Sequence, residues 1–271
     1  MKTNLSLAAA LSFASTAFSI TIRDYQPLRH DRFYTGNDKA FVGDPYDFSG
    51  VGLSNNGTWA SLISDSYFIS ANHFHPSSGV TFWEDNSLSG PSHSYTIAGG
   101  QQIGSTDLWV GWFTSTVDAS IARYPILDLP LANDYIGLVG YNYGITNRVG
   151  LNVIEDVQFI SPGFPNSYVF IYDYDNNDVP SVGGDETFLE TGDSGAPSFS
   201  ISSGMLALTG VHAGIDSPLF ADTAIPAYIA EINAVLDDQG QSVTLVPEPG
   251  AGMLIFAGMG WITGTIRRRN I

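Results

Sequence analysis

Ser194 stands in Thr191-Gly192-Asp193-Ser194-Gly195-Ala196-Pro197, between the apolar pair Phe188-Leu189 and the strand-like residues Phe199 and Ile201. A serine set among glycines is presented on a tight turn, because Gly192 takes up backbone angles closed to residues with a Cβ. The N–H groups of Gly192, Asp193 and Ser194 can then converge on one point, the arrangement an oxyanion needs. A serine hydroxyl is a weak nucleophile until a neighbouring base takes its proton. The chemistry suggested is acyl transfer, and it calls for a histidine and a carboxylate elsewhere in the chain.

The chain has five histidines. His73 follows Tyr67-Phe68-Ile69-Ser70-Ala71-Asn72, an apolar strand that delivers it at an end. His75, two residues on, competes for the same role, but the spacing from the strand selects His73. His30 and His93 lack such context and read as surface residues. For the carboxylate, Asp107 precedes Leu108-Trp109-Val110-Gly111-Trp112-Phe113, whose alternation buries it at a strand start. Asp118, in Asp118-Ala119-Ser120-Ile121-Ala122-Arg123-Tyr124-Pro125, has a similar look. Asp107 is favoured, because the Asp118 block fits the following connection into Pro125 and Pro130.

These blocks resemble the chymotrypsin-like (trypsin-like) serine endopeptidases over roughly residues 30–240. Gly192–Pro197 stands where that family has Gly-Asp-Ser-Gly-Gly-Pro. Gly57–Ile63 and Tyr67–Phe74 look like its strand–turn–strand leading to the catalytic histidine, and the order His73, Asp107, Ser194 is the chymotrypsin order. The resemblance implies a nucleophile at Ser194, a base at His73, an orienting carboxylate at Asp107 and oxyanion donors at Gly192 and Ser194. Asp193 then needs a partner to hold its turn. In the animal enzymes a new N-terminus supplies it; no activation sequence of the Ile-Val-Gly-Gly kind is visible here. The position six before Ser194, where trypsin-type enzymes keep a pocket aspartate, is Phe188, which argues against Lys or Arg at P1. Gly210-Val211-His212-Ala213-Gly214 resembles a stretch of the glutamyl-endopeptidase branch, implying that His212 lines the pocket and binds an acidic P1 side chain. The alternative is a strand histidine. The chain departs from the family pattern at Asn72, Phe74 and Ala196, and it has no cysteine.

Composition sets the bounds. The 271 residues are 44% hydrophobic and 13% aromatic, enough for a packed core in one large β domain or two small ones. The 29 glycines and 14 prolines suit many short strands joined by turns. Net charge is −17, and only six of the ten basic residues fall between positions 20 and 246, which makes a poor polyanion binder and argues against nucleic acid as a partner. Without cysteine there is no disulfide framework.

Both ends read as processing signals. Residues 1–19 hold one lysine, an apolar Leu5–Phe18 run, and Ala17 and Ser19 spaced as for leader cleavage. Val246-Pro247-Glu248-Pro249 precedes the apolar Gly250–Ile266 run, which stops at Arg267-Arg268-Arg269. This pattern resembles the PEP-CTERM sorting tail, implying export, a transient membrane anchor and an exosortase-type processing partner. A permanent single-pass anchor is the plain alternative.

Between the signals, ten short β-branched or aromatic runs bounded by Gly, Pro, Asn or Asp predict strands: 60–63, 67–71, 80–83, 94–97, 108–113, 136–141, 150–159, 168–172, 196–201 and 206–211. Ile229, Ile232, Val235 and Leu236 fall on one face at helical spacing after Pro226, predicting a helix over 226–238. The expected fold is all-β: two six-stranded-type antiparallel barrels over 20–130 and 131–225, with that helix behind and a tail from 245 to 271. Asp173-x-Asp175-x-Asn177 alternates oxygen ligands as a calcium loop does, but Asp178 and Gly184 stand where an EF-hand has glycine and glutamate; a solvated acidic turn is favoured. No cofactor motif is present. The sequence therefore predicts an exported serine endopeptidase acting on polypeptides. Its alternatives are a protease-fold surface or matrix binding protein that cleaves nothing, and an esterase on the same triad.

Overall fold

The computed structural model describes residues 20–131, 134–161, 164–175 and 179–247. The segment expected as a leader (1–19), Asn177, Asp178 and residues 248–271 of the expected sorting tail lie outside the described residues. A short strand β1 (Thr21–Ile22) and a helical turn α1 (Pro27–His30) come first. Six strands then close a barrel: β2 (Val51–Ser54), β3 (Trp59–Leu62), β4 (Tyr67–Ala71), β5 (Gly79–Trp83), β6 (Ser92–Gln102) and β7 (Leu108–Phe113), in the order β2-β3-β4-β7-β6-β5. Closure leaves no unpaired edge.

β3 and β4 are buried at every position, for a reason that matters to the site. Phe68 points into the barrel with Phe82 and Phe113, while Tyr67, Ile69 and Ala71 face out into a second cluster with Tyr143, Phe199 and Leu208. A strand covered on both faces reads as a continuous apolar run, not as an alternation. The barrel interior is tight. A Cβ on Gly111 would come 2.2 Å from the Phe68 ring, so only glycine fits there.

The second half is a nine-stranded sheet. Its strands are β8 (Ile126–Leu127), β9 (Val139–Gly144), β10 (Arg148–Val153), β11 (Asp156–Phe159), β12 (Tyr168–Tyr172), then, past the short β13 (Thr187–Phe188), β14 (Pro197–Ser202), β15 (Met205–Asp216), β16 (Leu219–Ala224) and, at the end of the described chain, β17 (Leu245–Val246). The main path runs β10-β9-β14-β15-β16-β12-β11. Helix α2 (Ile229–Leu236), flanked by 3-10 turns from Ile225 to Gln239, buries Ile232, Val235 and Leu236 against the shared core, as its spacing predicts.

Three boundaries differ from expectation. The first barrel spans Val51–Phe113, narrower than 20–130, because β1 pairs antiparallel with β13 and so belongs to the second half. The run expected as one strand over 150–159 is broken after Val153, where Ile154 turns its backbone to Leu138. The second half is barrel-like but not closed strand to strand: β10 and β11 end its path. Among the described residues no helix is long and apolar enough to cross a membrane.

Candidate active site

The first-barrel part of the site follows from strand register. β4 pairs antiparallel with β7, with Ala71 opposite Leu108, so the residues just past the end of β4 face those just before β7. His73 and Asp107 meet there. The His73 backbone N–H donates to Asp107 Oδ1 at 2.9 Å, and its Nδ1 lies 2.7 Å from Oδ2. An ionised carboxylate only accepts, so the proton sits on Nδ1 and Nε2 is left with a lone pair. Asp107 is buried, and its own N–H is anchored by the Ser167 hydroxyl from the second half at 3.2 Å. The imidazole side chain is 34% exposed.

The Ser194 turn comes from the second half. Gly192 and Gly195 have φ of +105° and +85°, values that favour glycine. The Gly195 N–H donates to the His212 carbonyl, and the Ala196 N–H to the Asp193 carbonyl. A Cβ on Gly195 would meet Ser70 Oγ at 2.8 Å, the Phe74 carbonyl at 2.9 Å and the Ala71 nitrogen at 3.4 Å. The residue after the serine is therefore packed on the turn that carries His73. Neither the Gly192 nor the Ser194 N–H has an acceptor among the described residues. The Ser194 hydroxyl and His73 are not hydrogen-bonded; in ligand-free sites such bonds commonly tighten only with substrate.

Asp193 finds its partners in the backbone. Oδ1 accepts from the Ile145 N–H and Oδ2 from the Glu190 N–H, both at 2.7 Å. Full burial pushes this carboxyl up to about 6, against the pull of those two donors and of His212.

The remaining candidates separate cleanly. Asp118 bonds the Ser120 N–H and hydroxyl within its own turn and clusters with Glu84 and His93, so of the two competing aspartates only Asp107 is brought to His73. His75 stacks on Trp109 at 3.9 Å and bonds the Asn72 carbonyl. His93 pairs with Glu84. His30 is no surface residue: it is fully buried, with Nε2 3.0 Å from Asp185 and Nδ1 accepting the Gln26 N–H. Its aspartate lies 155 positions away, a pairing no local pattern shows.

His212 has no exposed surface. Its Nδ1 lies 2.6 Å from Asp222 and its Nε2 2.9 Å from the Tyr143 carbonyl, so both nitrogens are spent inside the protein. Burial alone would disfavour the imidazolium, but Asp222, with Asp193 and the Tyr143 carbonyl, raises its pKa above the usual histidine value. In this arrangement His212 is a buried strut rather than a pocket wall, and binding a P1 side chain would require breaking one of these bonds. Phe188 is half-buried, packed between Tyr174 and Phe220 opposite Thr21.

Phe164 was not singled out by sequence. Its ring, 56% exposed, meets the His73 ring edge-on at 5.0 Å and forms one wall of a cavity of ≈ 470 Å³ with Ile160, Gly214, Ile215 and Leu219. Only its place in a Gly-Phe-Pro loop hinted at it. The carboxylates of Asp173, Asp175 and Glu186 also come together, although Glu186 is already engaged by Arg23.

No protein-family model matches the chain, and no curated protein matches it in sequence. Similar solved structures include HBP at atomic resolution, with a TM-score of 0.50 and 15% identity over 70% of this chain and 92% of that one. A mutant of human heparin binding protein (CAP37) reaches 0.49 at 15% identity, over 75% and 94%. The NS6 protease from murine norovirus 1 reaches 0.43 at 15%, over 64% and 88%. Barrel, barrel-like sheet, C-terminal helix and the likeness to HBP together identify the fold of this chain as chymotrypsin-like.

Proposed function

We propose that the protein is an exported serine endopeptidase. The observation that carries the reading is His73, pinned through Nδ1 by a buried Asp107, beside a serine turn; among the described residues neither its Nε2 nor the Gly192 and Ser194 N–H groups has a partner. Ser194 Oγ attacks the peptide carbonyl carbon and its proton passes to His73 Nε2. The tetrahedral oxyanion accepts hydrogen bonds from Gly192 and Ser194. Collapse breaks the C–N bond, and the imidazolium returns its proton to the departing amine. Water, activated by the same histidine, then hydrolyses the acyl-enzyme. Asp107 holds the tautomer and stabilises the imidazolium without taking its proton.

Export and an exosortase-type partner for the tail remain part of this proposal, on the strength of the two terminal sequence patterns. Incubating the leader-free protein with a denatured protein mixture and mapping the new peptide termini tests the reading. New termini that vanish in Ser194→Ala are expected. Turnover of activated esters without any peptide cleavage would instead mark an esterase, and no turnover of either would leave a binding protein.

A further inference from the structure

His73 and Asp107 come from the first barrel and Ser194 from the second half, so their mutual placement depends on what crosses between the two. The short segment 164–168, leading into β12, makes that crossing at three residues. The Phe164 ring lies edge-on to His73 at 5.0 Å. Asn166 Nδ2 donates to the Ser105 carbonyl at 3.1 Å and to the Ser105 hydroxyl oxygen at 2.9 Å. The Asp107 N–H donates to Ser167 Oγ at 3.2 Å. Residues 105–107 close the turn between β6 and β7, so two of the three contacts hold the stretch that delivers the carboxylate to His73.

Ser167 is fully buried. A hydroxyl has one proton to give, and Ser167 gives it to the Pro165 carbonyl at 2.9 Å, which leaves its lone pairs for the Asp107 N–H. The backbone around it is fixed on its own side. The Ser167 carbonyl accepts the Ile160 N–H at 3.0 Å, and the Tyr168 N–H donates to the Tyr228 hydroxyl at 2.8 Å. Asp107 makes its other hydrogen bonds within the first barrel: its carbonyl accepts the Asn72 N–H at 2.9 Å, and its carboxylate meets the His73 backbone and ring. Among the described residues, Ser167 is thus its one hydrogen-bonded link to the half that carries Ser194.

We propose that Ser167 is a positioning residue: by holding the Asp107 amide it sets where the carboxylate meets His73 Nδ1, and so how the imidazole faces the Ser194 turn. It touches no substrate and moves no proton; it acts through Asp107. Replacing it leaves a buried N–H without an acceptor, so some loss of stability is expected whatever its role. What marks a positioning role is a change at the imidazole itself. The effect on turnover rests on the peptidase reading above; the hold on the His73–Asp107 pair does not.

The experiment compares the wild type with Ser167→Ala and with Ser167→Thr, which keeps the hydroxyl. The His73 Nδ1 proton, followed by nitrogen-edited NMR, is expected far downfield in the wild type, where it bridges to Asp107. In Ser167→Ala it should move upfield or broaden, and Ser167→Thr should restore it. Fluorophosphonate labelling of Ser194 at saturating probe is expected to be about tenfold slower in Ser167→Ala, with the half-saturating probe concentration unchanged. An Nδ1 proton that stays in place in Ser167→Ala overturns the proposal, whatever the melting temperature does. A moved proton with labelling as fast as the wild type's overturns it too. A moved proton with no labelling of any form keeps the positioning role and removes the peptidase. Should Ser167→Ala fail to fold, amide hydrogen exchange in the wild type decides: the Asp107 amide is expected to be protected, and exchange at the rate of an open amide overturns the anchor.

Discussion

Two histidine–aspartate pairs lie against the Ser194 turn, alike in their Nδ1–carboxylate contact and opposite in what they can do. In the first barrel, His73 Nδ1 is 2.7 Å from Asp107 and Nε2 has no partner among the described residues. In the second half, His212 Nδ1 is 2.6 Å from Asp222, but Nε2 is tied to the Tyr143 carbonyl and the ring is sealed from solvent. The turn touches both: Gly195 packs on the Ala71–Phe74 turn, and its N–H binds the His212 carbonyl. A base must have a vacant nitrogen at a surface a substrate can reach. A strut must have none.

The two pairs should therefore fail in different ways when cut. Asp107→Asn removes the carboxylate that holds the reactive tautomer, and turnover should fall by about 10⁴. The melting temperature should move little, since the amide oxygen can still accept the His73 backbone N–H while its NH2 faces the ring nitrogen. Asp222→Asn should do the reverse. It leaves a buried imidazolium without its counter-charge and should destabilise the fold by roughly 3–5 kcal/mol. Steady-state kinetics and thermal melts on both variants check the contrast, and matching profiles would erase it.

Proton linkage sharpens it. The raised pKa of His212 means that its contribution is fully present below the ordinary histidine value and is lost as pH rises through the folded one. Melts taken from the ordinary histidine value upward should show a decline that His212→Gln abolishes. Asp193 carries the same sign at lower pH. Its carboxyl, raised from 3.8 to about 6, binds protons more tightly when folded, so stability falls as pH rises through that interval. The loss should reach up to roughly 3 kcal/mol, read from melts between about pH 4 and 7.

How far the sequence carried these conclusions depends on how local each feature is. Ser194 and its glycines are contiguous, and His73 announces itself at the end of a strand buried on both faces. Choosing Asp107 over Asp118 rested on fitting the connection that follows; the structure gives the physical reason, the register of β4 on β7. His30 could not be placed, because Asp185 joins it only through the packing of α1 against the turn before β13. The sequence leaves His212 open between a pocket residue and a strand histidine for a related reason. The strand pattern shows that it points inward, but not that Asp222, on the neighbouring strand β16, is waiting for it. The chain from 20 to 22 was assigned to the first barrel by sequence order, and only pairing with β13 reveals otherwise.

The smallest expected effect lies at Phe164, whose ring flanks His73 without touching the proton path. Phe164→Ala should raise KM severalfold for substrates with an apolar residue before the cleaved bond and leave kcat nearly unchanged, the signature of lost uniform binding. A fall in kcat alone would show instead that the ring positions the imidazole.

The central claim is that His73, and not His212, activates Ser194. Fluorophosphonate treatment of the chain from Ile20 onward, followed by mass mapping of the adduct, measures this most directly. A single adduct on Ser194, lost in His73→Ala, is the result expected. A folded chain that takes up no probe, or one that is labelled equally well without the His73 imidazole, would contradict it.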